Sequence, residues 1–483
     1  MIMKNIPLWQ NVKTDRYPKL KRDIETDILI IGGGITGVST LYQLKKDKRK
    51  VVLVERNRLG YGATSRSSAK VTFLQENIYS KLLNNFNFDV SKLYYESQKE
   101  AISNLVQVCK KEKLECDLEC ADSYLYTLKS EEMDKIIDEQ ELLKSFGEIP
   151  IEVDKLPNGM DIVNGFYIKN TYVFHPLKFV NELARKSINK RHEIYENTNI
   201  INIERKNGIY HCYTDTKVIK TKHLVIATHY PNFLFPYLFP FKCHIEKSYL
   251  MAVKNKNKQF SAINISNPIY SIRYYDNYSL LIGGSHNLCL KNNYLENFHS
   301  LSKYVDSKNI VYGWSNHDIM TLDNLPYIGF VKDNIVLATG FNTWGMTNGF
   351  LAGSIVADLL NKNENAYRYL FDPKRGISKD KIVNYPVNIF SNTYSFINSK
   401  INLHKAWYKN NPYFTKFDEK EVAIYRDDKG VEHVVYTKCP HLKCNLTFNE
   451  VENTWDCPCH GSRFNLDGKC IMGPSNYDIG YKR

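Results

Sequence analysis

The sequence predicts an α/β domain that fills the larger, N-terminal part of the chain and a small all-β domain at the C-terminal end. Three observations support this prediction. An apolar strand runs into a glycine-rich turn near residue 32, a second glycine-rich turn follows a strand near residue 340, and short alternating strands begin near residue 403. A chain of 483 residues is too long for one typical core, so we expect two or three domains.

The composition is that of an ordinary globular protein, with 43% hydrophobic and 24% charged residues. The net charge of +13 is spread along the chain without a nucleic-acid motif, so we expect no nucleic-acid partner. No apolar stretch reaches the ~18 residues of a membrane helix, and the N-terminus lacks the apolar core of a signal peptide. We therefore expect a cytoplasmic protein with no transmembrane segment. The aromatic segment FLFPYLFPF (residues 233–241) is short and holds two prolines, which favours a buried loop or strand edge.

The first element is a strand, a turn and a helix. Residues 28–31 are an apolar run typical of a buried parallel strand, and Gly32, Gly34 and Gly37 then complete G-x-G-x-x-G. The first glycine permits the tight turn, the second lets a pyrophosphate approach the backbone, and the third allows close packing of the helix on the strand. The next strand, KVVLVE, ends in Glu55, which suits the ribose hydroxyls of a bound dinucleotide.

Two later stretches favour FAD over NAD as that dinucleotide. Residues 333–360 contain a strand and a glycine-rich turn into a helix, which would place a second helix N-terminus near the cofactor. A simple NAD dehydrogenase does not need a second strand, turn and helix of this kind so late in the chain. Residues 59–72, LGYGATSRSSAKVT, are rich in small and hydroxyl side chains, as expected where backbone runs along a flavin.

Four motifs resemble the D-amino-acid-oxidase-like family of FAD-dependent oxidoreductases over roughly residues 24–362: TDILIIGGGITGV, GATSRSSAKVT, TLDNLPYIG and LATGFNTWGMTNG. The resemblance implies an α/β Rossmann-type FAD domain, with parts at about 24–95, 165–235 and 325–362. It also implies an interleaved α+β substrate domain built on an antiparallel sheet. The cofactor-binding residues that it implies are Gly32, Gly34, Gly37, Glu55 and Arg56 for the ADP part and Ser65, Arg66, Ser68, Lys70, Gly340, Phe341, Gly345, Met346 and Thr347 near the flavin.

The stretch WSNHDIMTLDNLP bears on the substrate. Family members that oxidise amino acids often read W-x-x-L-R-P-x-T-x-D-G-x-P, and their arginine binds the substrate carboxylate in a bidentate pair. Asp318 stands where that arginine would be, so we expect ordinary α-amino acids to be poor substrates and a cationic amine to be a better one. Arg273 could supply an alternative anchor, and Asp318 could instead cap a turn. Both residues are therefore candidates for a catalytic role.

The chain changes character after the FAD-like region. Residues 363–402 are expected to be a connector with a helix near its end. From residue 403 to residue 483 short strands are expected, and apolar alternation around Asp428-Lys429-Gly430 predicts a hairpin.

Cys439-x-His441 and Cys457-x-x-His460 form the strongest metal signal of the chain. Two cysteines and two histidines could bind zinc tetrahedrally, but classical zinc fingers place both histidines on one helix. Here each histidine shares a loop with a cysteine, which favours a two-iron cluster with both cysteines on one iron and both histidines on the other. This is the Rieske [2Fe-2S] arrangement. C-P-H-x-x-C and C-P-C-H-G-S form nearly the whole signature of that family, and Gly473-Pro474 resembles its loop that covers the cluster.

Cys444 and Cys459 are not needed as ligands. In the Rieske subunits of respiratory and photosynthetic complexes the cysteines at these places form a disulfide, and the resemblance implies the same bond here. Free thiols are the alternative, because disulfides are uncommon in the cytosol. Ser462 resembles the serine that donates to a bridging sulfide. Phe464 stands where the family has a tyrosine, which implies a lower reduction potential.

The two halves together predict an FAD-dependent oxidoreductase that acts on a CH–NH bond. A small-molecule reductant, an amine, would give a hydride to FAD, and electrons would pass singly to the Rieske cluster and to an external acceptor that the sequence does not identify. Two alternatives remain. The chain could relay electrons between protein partners without a small-molecule substrate, or it could sense redox state through the cluster and the disulfide.

Overall fold

The computed structural model describes residues 3–231, 242–255, 259–288, 293–303, 305, 307–376 and 412–481. Two expectations lie outside these residues: the loop or strand edge at residues 233–241 and the helix near the end of the connector. In the part of the chain that is described, no helix has both the length and the apolar character needed to cross a membrane.

Strands and helices are numbered in chain order within those residues. The strands are β1 Ile24–Ile31, β2 Val51–Val54, β3 Lys70–Val71, β4 Glu119–Cys120, β5 Asp122–Thr127, β6 Ile151–Lys155, β7 Asp161–Ile168, β8 Tyr172–Val173, β9 His192–Tyr195, β10 Asn202–Lys206, β11 Ile209–Tyr213, β12 Val218–Ile226, β13 Cys243–Lys254, β14 Phe260–Asn264, β15 Ser271–Tyr275, β16 Tyr278–Asn287, β17 Ile310–Thr321, β18 Tyr327–Lys332, β19 Ile335–Thr339, β20 Tyr413–Phe417, β21 Lys420–Arg426, β22 Glu432–Tyr436, β23 Thr447–Asn449, β24 Thr454–Asp456, β25 Arg463–Phe464 and β26 Cys470–Met472. The α-helices are α1 Ile35–Gln43, α2 Ile78–Asn85, α3 Phe88–Glu112, α4 Met133–Ser145, α5 Pro176–Arg185, α6 Tyr294–Ser302 and α7 Gly345–Asn361.

The first sheet is the α/β sheet that the glycine-rich turn predicts. Strands β9, β2, β1, β12 and β19 lie side by side and run parallel, while β10 and β11 extend it from β12 in antiparallel pairing. Ile28 and Ile30 of β1 pack into the core on one face, and Leu29 and Ile31 pack into a second core on the other. Because both faces are covered, the strand can be apolar along its length.

The second sheet has the strand order β17-β13-β16-β15-β14-β5-β7-β6. Its neighbours are antiparallel, as expected for a substrate domain of this family, except that β14 and β5 are parallel. The exception arises because the chain enters this sheet twice. Strands β5–β7 come from the first passage and β13–β17 from the second, and the two groups join at the parallel pair.

Strands β13 and β17 separate two regions of the molecule. Glu246 lies opposite Asp318, and Lys247 lies opposite His317. Successive side chains of a strand point to opposite faces, so the two acidic residues share one face and the two basic residues share the other. The acidic face lines a cavity, and the basic face contacts the C-terminal domain.

The C-terminal domain is all-β. It contains the sheet β20-β21-β22 and the sheet β23-β24-β25-β26. The hairpin predicted around Asp428-Lys429-Gly430 is confirmed, because β21 and β22 pair antiparallel on either side of it. Trp455 and Phe464 are fully buried and pack in one core with Cys439 and Cys457.

Candidate active site and metal centre

A cleft lies at the carboxyl ends of the parallel strands of the first sheet, where this type of sheet binds its ligands. Gly34 and Gly345, at the N-terminal ends of α1 and α7, both line it. Helix N-termini carry free N–H groups and positive partial charge, so two of them on one cleft favour a bound pyrophosphate. The second helix N-terminus that the sequence predicts thus lies on the same cleft as the first.

The glycine-rich turn fits a dinucleotide in its backbone geometry. Gly32 has a φ of +110°, and a Cβ atom there would lie 2.4 Å from the carbonyl oxygen of Ala227. A Cβ atom at Gly37 would lie 1.9 Å from the carbonyl oxygen of Gly32. At Gly34, by contrast, a Cβ atom would approach only Thr64 Oγ1, at 3.2 Å. The first and third glycines thus close the turn, and the second leaves room for a ligand.

Glu55 lines the cleft and also holds the turn. Its carboxylate accepts hydrogen bonds from the backbone N–H groups of Gly33 and Asn57, both at 2.8 Å. Burial raises the pKa of Glu55, and these two hydrogen bonds oppose the rise. These two backbone groups therefore fix the orientation of the Glu55 carboxylate at the cleft wall.

Arg56 lines the cleft, but its guanidinium joins two domains. It donates to Asn199 Oδ1 at 3.0 Å, to Cys470 Sγ at 2.9 Å and to Asn476 Oδ1 at 3.2 Å. The last two acceptors belong to the C-terminal domain. The same domain supplies part of the cleft wall, namely Ile471, Met472, Gly473, Pro474 and Asn476. The C-terminal domain therefore covers one end of the cofactor cleft.

The predicted cofactor residues fall into three groups. Those on the cleft wall are Gly32, Gly34, Glu55, Arg56, Gly340, Phe341, Gly345 and Met346. Those on a second cavity are Arg66, Ser68, Lys70 and, again, Met346. Those behind the two walls are Gly37, Ser65 and Thr347, of which the last two form hydrogen bonds with Gln10, Gly62 and Thr72.

Sequence reasoning missed the cleft residues Thr198, Asn199 and Ile200. They follow β9, which is parallel to β2 and adjacent to it. The signal that could have found them is a polar stretch directly after a short strand, HEIYENTN, because the carboxyl ends of neighbouring parallel strands share one edge.

The second cavity has a volume of about 520 Å³ and adjoins the cofactor cleft. Asn316, Asp318, Thr343 and Met346 line both spaces, so they form the boundary between them. Asp318 accepts a hydrogen bond from Asn316 Nδ2 at 3.2 Å. Burial raises the pKa of Asp318 to about 7, and the neighbouring Glu246 contributes to the rise.

The cationic side chains around this cavity differ in how they are engaged. Arg66 donates to Glu452 of the C-terminal domain at 2.8 Å. Arg273 is fully buried, lies outside the cavity wall and donates to three backbone carbonyl oxygens, those of Ser68, Ala69 and Phe174. Its place favours a structural role over that of the substrate anchor considered above.

Lys70 does line the second cavity. Its ammonium group donates to Ser271 Oγ and lies 5.5 Å from the ring centroid of Trp344. Burial and, to a smaller extent, the positive charge of Arg273 lower the pKa of Lys70 to about 7. With this pKa a substantial fraction of the Lys70 side chain is a neutral amine near pH 7.

The four predicted cluster residues come together between two loops of the C-terminal domain. The rings of His441 and His460 have their centroids 5.0 Å apart, and the thiols of Cys439 and Cys457 form a hydrogen-bonded pair. The Nδ1 atoms of both histidines are buried without a hydrogen-bond partner. Buried imidazole nitrogens of this kind fit a metal ligand role, because an unpaired buried nitrogen is otherwise costly.

Cys444 and Cys459 form a disulfide, as the resemblance implies. Their sulfur atoms also lie within 4.8 Å of Cys457 Sγ. Because these two sulfurs are bonded to each other, they are not available as thiolate ligands, and the closeness reflects the disulfide that joins the cluster loops. Ser462 is fully buried, forms a hydrogen bond with the Cys439 thiol and accepts one from Ser475 N at 2.9 Å.

Buried charges fasten the C-terminal domain to the rest of the chain. Lys247 pairs with Asp456, and both side chains are fully buried. Arg463 binds Asp456 and Glu452, and Glu452 also pairs with Arg66 across the interface. Because a buried charge that loses its partner is costly, this network opposes separation of the two domains.

Comparisons with known proteins agree with this architecture. The sequence profile of FAD dependent oxidoreductases (DAO) matches residues 27–359, and that of the Rieske [2Fe-2S] domain matches residues 401–480. YhfW of Bacillus subtilis (strain 168), described as a Rieske 2Fe-2S iron-sulfur protein, is 30% identical over 482 residues, which cover 95% of this chain and 94% of that protein.

Solved structures resemble the larger domain. Glycine oxidase from Geobacillus kaustophilus gives a TM-score of 0.63 at 18% identity, over 73% of this chain and 100% of that chain. L-proline dehydrogenase from P. horikoshii gives a TM-score of 0.60 at 18% identity, over 73% of this chain and 98% of that chain. The fold class predicted from the sequence is confirmed, and so are FAD and a Rieske cluster as the cofactors. The chain belongs to the family of FAD-dependent oxidoreductases and carries a Rieske [2Fe-2S] domain at its C-terminal end.

Proposed function

We propose that this oxidoreductase oxidises a cationic amine in the second cavity and passes the electrons singly to the Rieske cluster and then to an external acceptor. The observation that supports it is the pair Glu246 and Asp318, which faces the second cavity, Asp318 lying at the boundary with the cofactor cleft. FAD, when bound, supplies a hydride acceptor, and the cluster supplies a one-electron acceptor. Glycine oxidase and L-proline dehydrogenase share the fold and are named for substrates that contain an amine, which supports the CH–NH class.

The acidic pair favours a cationic ligand. Within the described residues Asp318 forms no ion pair, and the nearby His244 Nε2 lies 3.2 Å from Glu246 Oε1. The negative charge of Glu246 repels an ionised Asp318 and opposes its ionisation. An ammonium group between them would remove that repulsion and would gain charge-assisted hydrogen bonds.

The engaged arginines disfavour an α-amino acid. A substrate carboxylate needs a free guanidinium for bidentate binding. Arg66 is paired with Glu452, and Arg273 donates hydrogen bonds to three backbone carbonyl oxygens. A carboxylate next to Asp318 would also meet a like charge.

Lys70 is the proposed proton acceptor. An ammonium substrate must lose a proton before its α-carbon can give up a hydride, because the nitrogen lone pair stabilises the developing cation. The Nζ atom of Lys70, with a pKa near 7, can accept that proton and return it to water. Asp318 would orient the substrate nitrogen.

The proposed cluster ligands are Cys439 and Cys457 on one iron and His441 and His460 on the other. The two unpartnered Nδ1 atoms support a ligand role for both histidines. Each histidine lies in a separate loop with its own cysteine, and this arrangement favours a two-iron cluster over a zinc site built from the same residues. The disulfide between Cys444 and Cys459 would hold those loops together.

An anaerobic substrate panel tests the proposal. Purified protein with both cofactors is mixed with monoamines, diamines, glycine, D-alanine and sarcosine, and flavin absorbance is followed together with the EPR signal of the reduced cluster. We expect amines without a carboxylate to bleach the flavin and to produce a Rieske-type signal. The Asp318→Asn variant should give this response roughly 10- to 150-fold more slowly, while its flavin should still be reduced by dithionite.

Two outcomes would count against the proposal. Reduction by glycine, D-alanine or sarcosine at the rate of the best amine would contradict the role given to the acidic pair. Reduction of both cofactors by a reduced protein partner, with no response to any amine, would favour the relay function instead.

A further inference from the structure

The rings of the proposed cluster histidines face the larger domain. The ring centroid of Tyr230 lies 6.4 Å from that of His441 and 5.9 Å from that of His460, in edge-to-face geometry with both. These separations are within the range of aromatic packing contacts. One aromatic side chain therefore contacts both histidines.

Tyr230 also borders the cofactor cleft. It is only 5% exposed, and it lines the cleft together with Thr228 and His229, the residues that precede it. Tyr230 thus lies between the cofactor cleft and the two proposed ligand histidines. Among the described residues no other aromatic side chain both lines that cleft and stacks on the two histidines.

The backbone around Tyr230 is held in place. Thr228 Oγ1 donates to the carbonyl oxygen of Tyr230 at 2.9 Å, and Thr339 Oγ1 donates to the carbonyl oxygen of His229. His229 has a φ of +68°, a left-handed conformation that turns the chain sharply after β12. This turn places the next residue, Tyr230, against the C-terminal domain.

Contacts between the C-terminal domain and the rest of the chain lie on both sides of Tyr230. Gly461, which follows His460, packs so closely on His317 that a Cβ atom would lie 2.9 Å from the imidazole Nδ1. The buried pair Lys247–Asp456 lies on the same face of β13 and β17 as His317. At the other end of the interface Arg56 binds Asn476. Contacts on both sides hold the histidine rings against Tyr230.

We propose that Tyr230 is the bridge through which electrons pass between the cofactor cleft and the cluster, with the C-terminal domain permanently docked. This rests on the electron flow proposed above. In each transfer the reduced flavin loses one electron, and the cluster gains it as one Fe(III) becomes Fe(II). Tyr230 is neither oxidised nor deprotonated, because a tyrosyl radical needs a much stronger oxidant than a Rieske cluster. The ring fills the space between the cofactor cleft and the histidines with packed atoms, so that electrons do not have to cross an empty gap.

Flash photolysis of the holoenzyme tests the bridge without a substrate. Photoreduced 5-deazariboflavin injects one electron, and re-equilibration between flavin and cluster is followed by their separate absorbance bands. We expect Tyr230→Leu and Tyr230→Met, which remove the ring but keep an apolar side chain, to slow the internal transfer on the order of tenfold. Tyr230→Phe, which keeps the ring, should transfer electrons at the wild-type rate. The EPR spectrum and potential of the cluster should be unchanged in all three.

A second tyrosine at the same interface gives a matched control. Tyr294 of α6 bonds Thr447 of the C-terminal domain through its hydroxyl at 2.7 Å. Tyr294→Phe should leave the internal rate unchanged, although it also removes an interdomain contact. Having two ring-deleting variants keeps the test decisive if one of them fails to fold.

Three results would overturn the inference. These are wild-type transfer rates in Tyr230→Leu and Tyr230→Met, equal slowing in Tyr230→Phe, or equal slowing in Tyr294→Phe. If wild-type protein shows no internal transfer at all, the proposed electron flow fails instead. Transfer that is fast in every variant leaves the proposed function intact and rejects only the role of Tyr230.

Discussion

The two faces of the strand pair β13 and β17 place acidic side chains in opposite electrostatic surroundings. On the cavity face, burial and the neighbouring Glu246 raise the pKa of Asp318 to about 7. On the docking face, burial alone would raise the pKa of Glu452, but Arg463 and Arg66 lower it to about 2. Both carboxyl groups lie in poorly solvated places, so the cationic partners account for the difference.

The difference separates structural charges from charges that can bind a ligand. The docking face is complete, because Lys247, Arg463 and Arg66 satisfy Asp456 and Glu452. The cavity face is incomplete, because its acidic pair is not matched by a paired lysine or arginine among the described residues. We infer that the docking face maintains the arrangement of the domains, and that the cavity face binds a cation from outside the chain.

The largest expected effect comes from breaking the docking face with Arg463→Met. The change leaves Glu452 and Asp456 buried with fewer cations, which costs about 3–5 kcal/mol in comparable buried pairs. We expect the C-terminal domain to unfold at a much lower urea concentration, and the loss of cluster absorbance measures this midpoint. The exposed pair Arg426–Glu432 gives the control, because Arg426→Met should leave the midpoint nearly unchanged. Equal midpoints for Arg463→Met and wild type would refute the structural role of the network.

The next effect comes from Asp318→Asn on the cavity face. Loss of a charge-assisted contact with the substrate should raise the activation free energy for an amine by about 1.5–3 kcal/mol, which lowers kcat/KM roughly 10- to 150-fold. The unfolding midpoint should stay the same or rise, because the change removes a buried carboxyl group that has no cationic partner. Glu246→Gln is the matched variant and should have a smaller kinetic effect. A loss of stability as large as that of Arg463→Met would contradict the distinction between the two faces.

The pH dependence of flavin reduction tests the cavity face again. Asp318 has a raised pKa of about 7, so its carboxylate is present above that pH and is protonated below it. Lys70 has a lowered pKa of about 7, so its neutral form is present above the same pH and is protonated below it. Both shifts predict that the anaerobic rate of flavin reduction by an amine increases as pH rises through about 7. Stopped-flow rates between pH 6 and pH 8 measure this.

Variants of Asp318 and Lys70 show how much of the change in rate with pH belongs to each residue. Asp318→Asn should retain the part of the step that belongs to Lys70, and Lys70→Gln should retain the part that belongs to Asp318. A profile that falls as pH rises through 7, or one that neither variant alters, would count against the two assignments.

The sequence predicted those parts of the site that depend on neighbouring residues in the chain. The turn at Gly32 and Gly37, the N-terminus of α7 and the disulfide between Cys444 and Cys459 are each determined by a short motif or by the family that it resembles. Such motifs are recognisable because a backbone conformation or a cross-link requires the same residue types wherever it occurs.

The sequence did not predict how the domains meet. Arg56 was expected to hold the ADP part, yet its guanidinium binds Cys470 and Asn476, about four hundred residues later in the chain. The position of Arg273 behind the cavity wall was likewise unpredicted. These contacts depend on which side chains the folded domains bring together, and no local pattern encodes that.

The smallest expected effect concerns the end of the cleft that the C-terminal domain covers. Asn476→Ala removes one of the three acceptors of the Arg56 guanidinium and the hydrogen bond to the carbonyl oxygen of Ile201, while the backbone contact with Asn199 remains. We expect FAD to dissociate about two- to tenfold faster, because each lost hydrogen bond is worth about 0.5–1.5 kcal/mol. The fluorescence increase of released FAD after dilution measures this rate. The neighbouring Tyr477 is 54% exposed, so Tyr477→Ala should release FAD as the wild type does. Because the docking network at Lys247 and Asp456 is intact in both variants, a change in FAD release without a change in unfolding would separate the cover over the cofactor from the attachment of the domain.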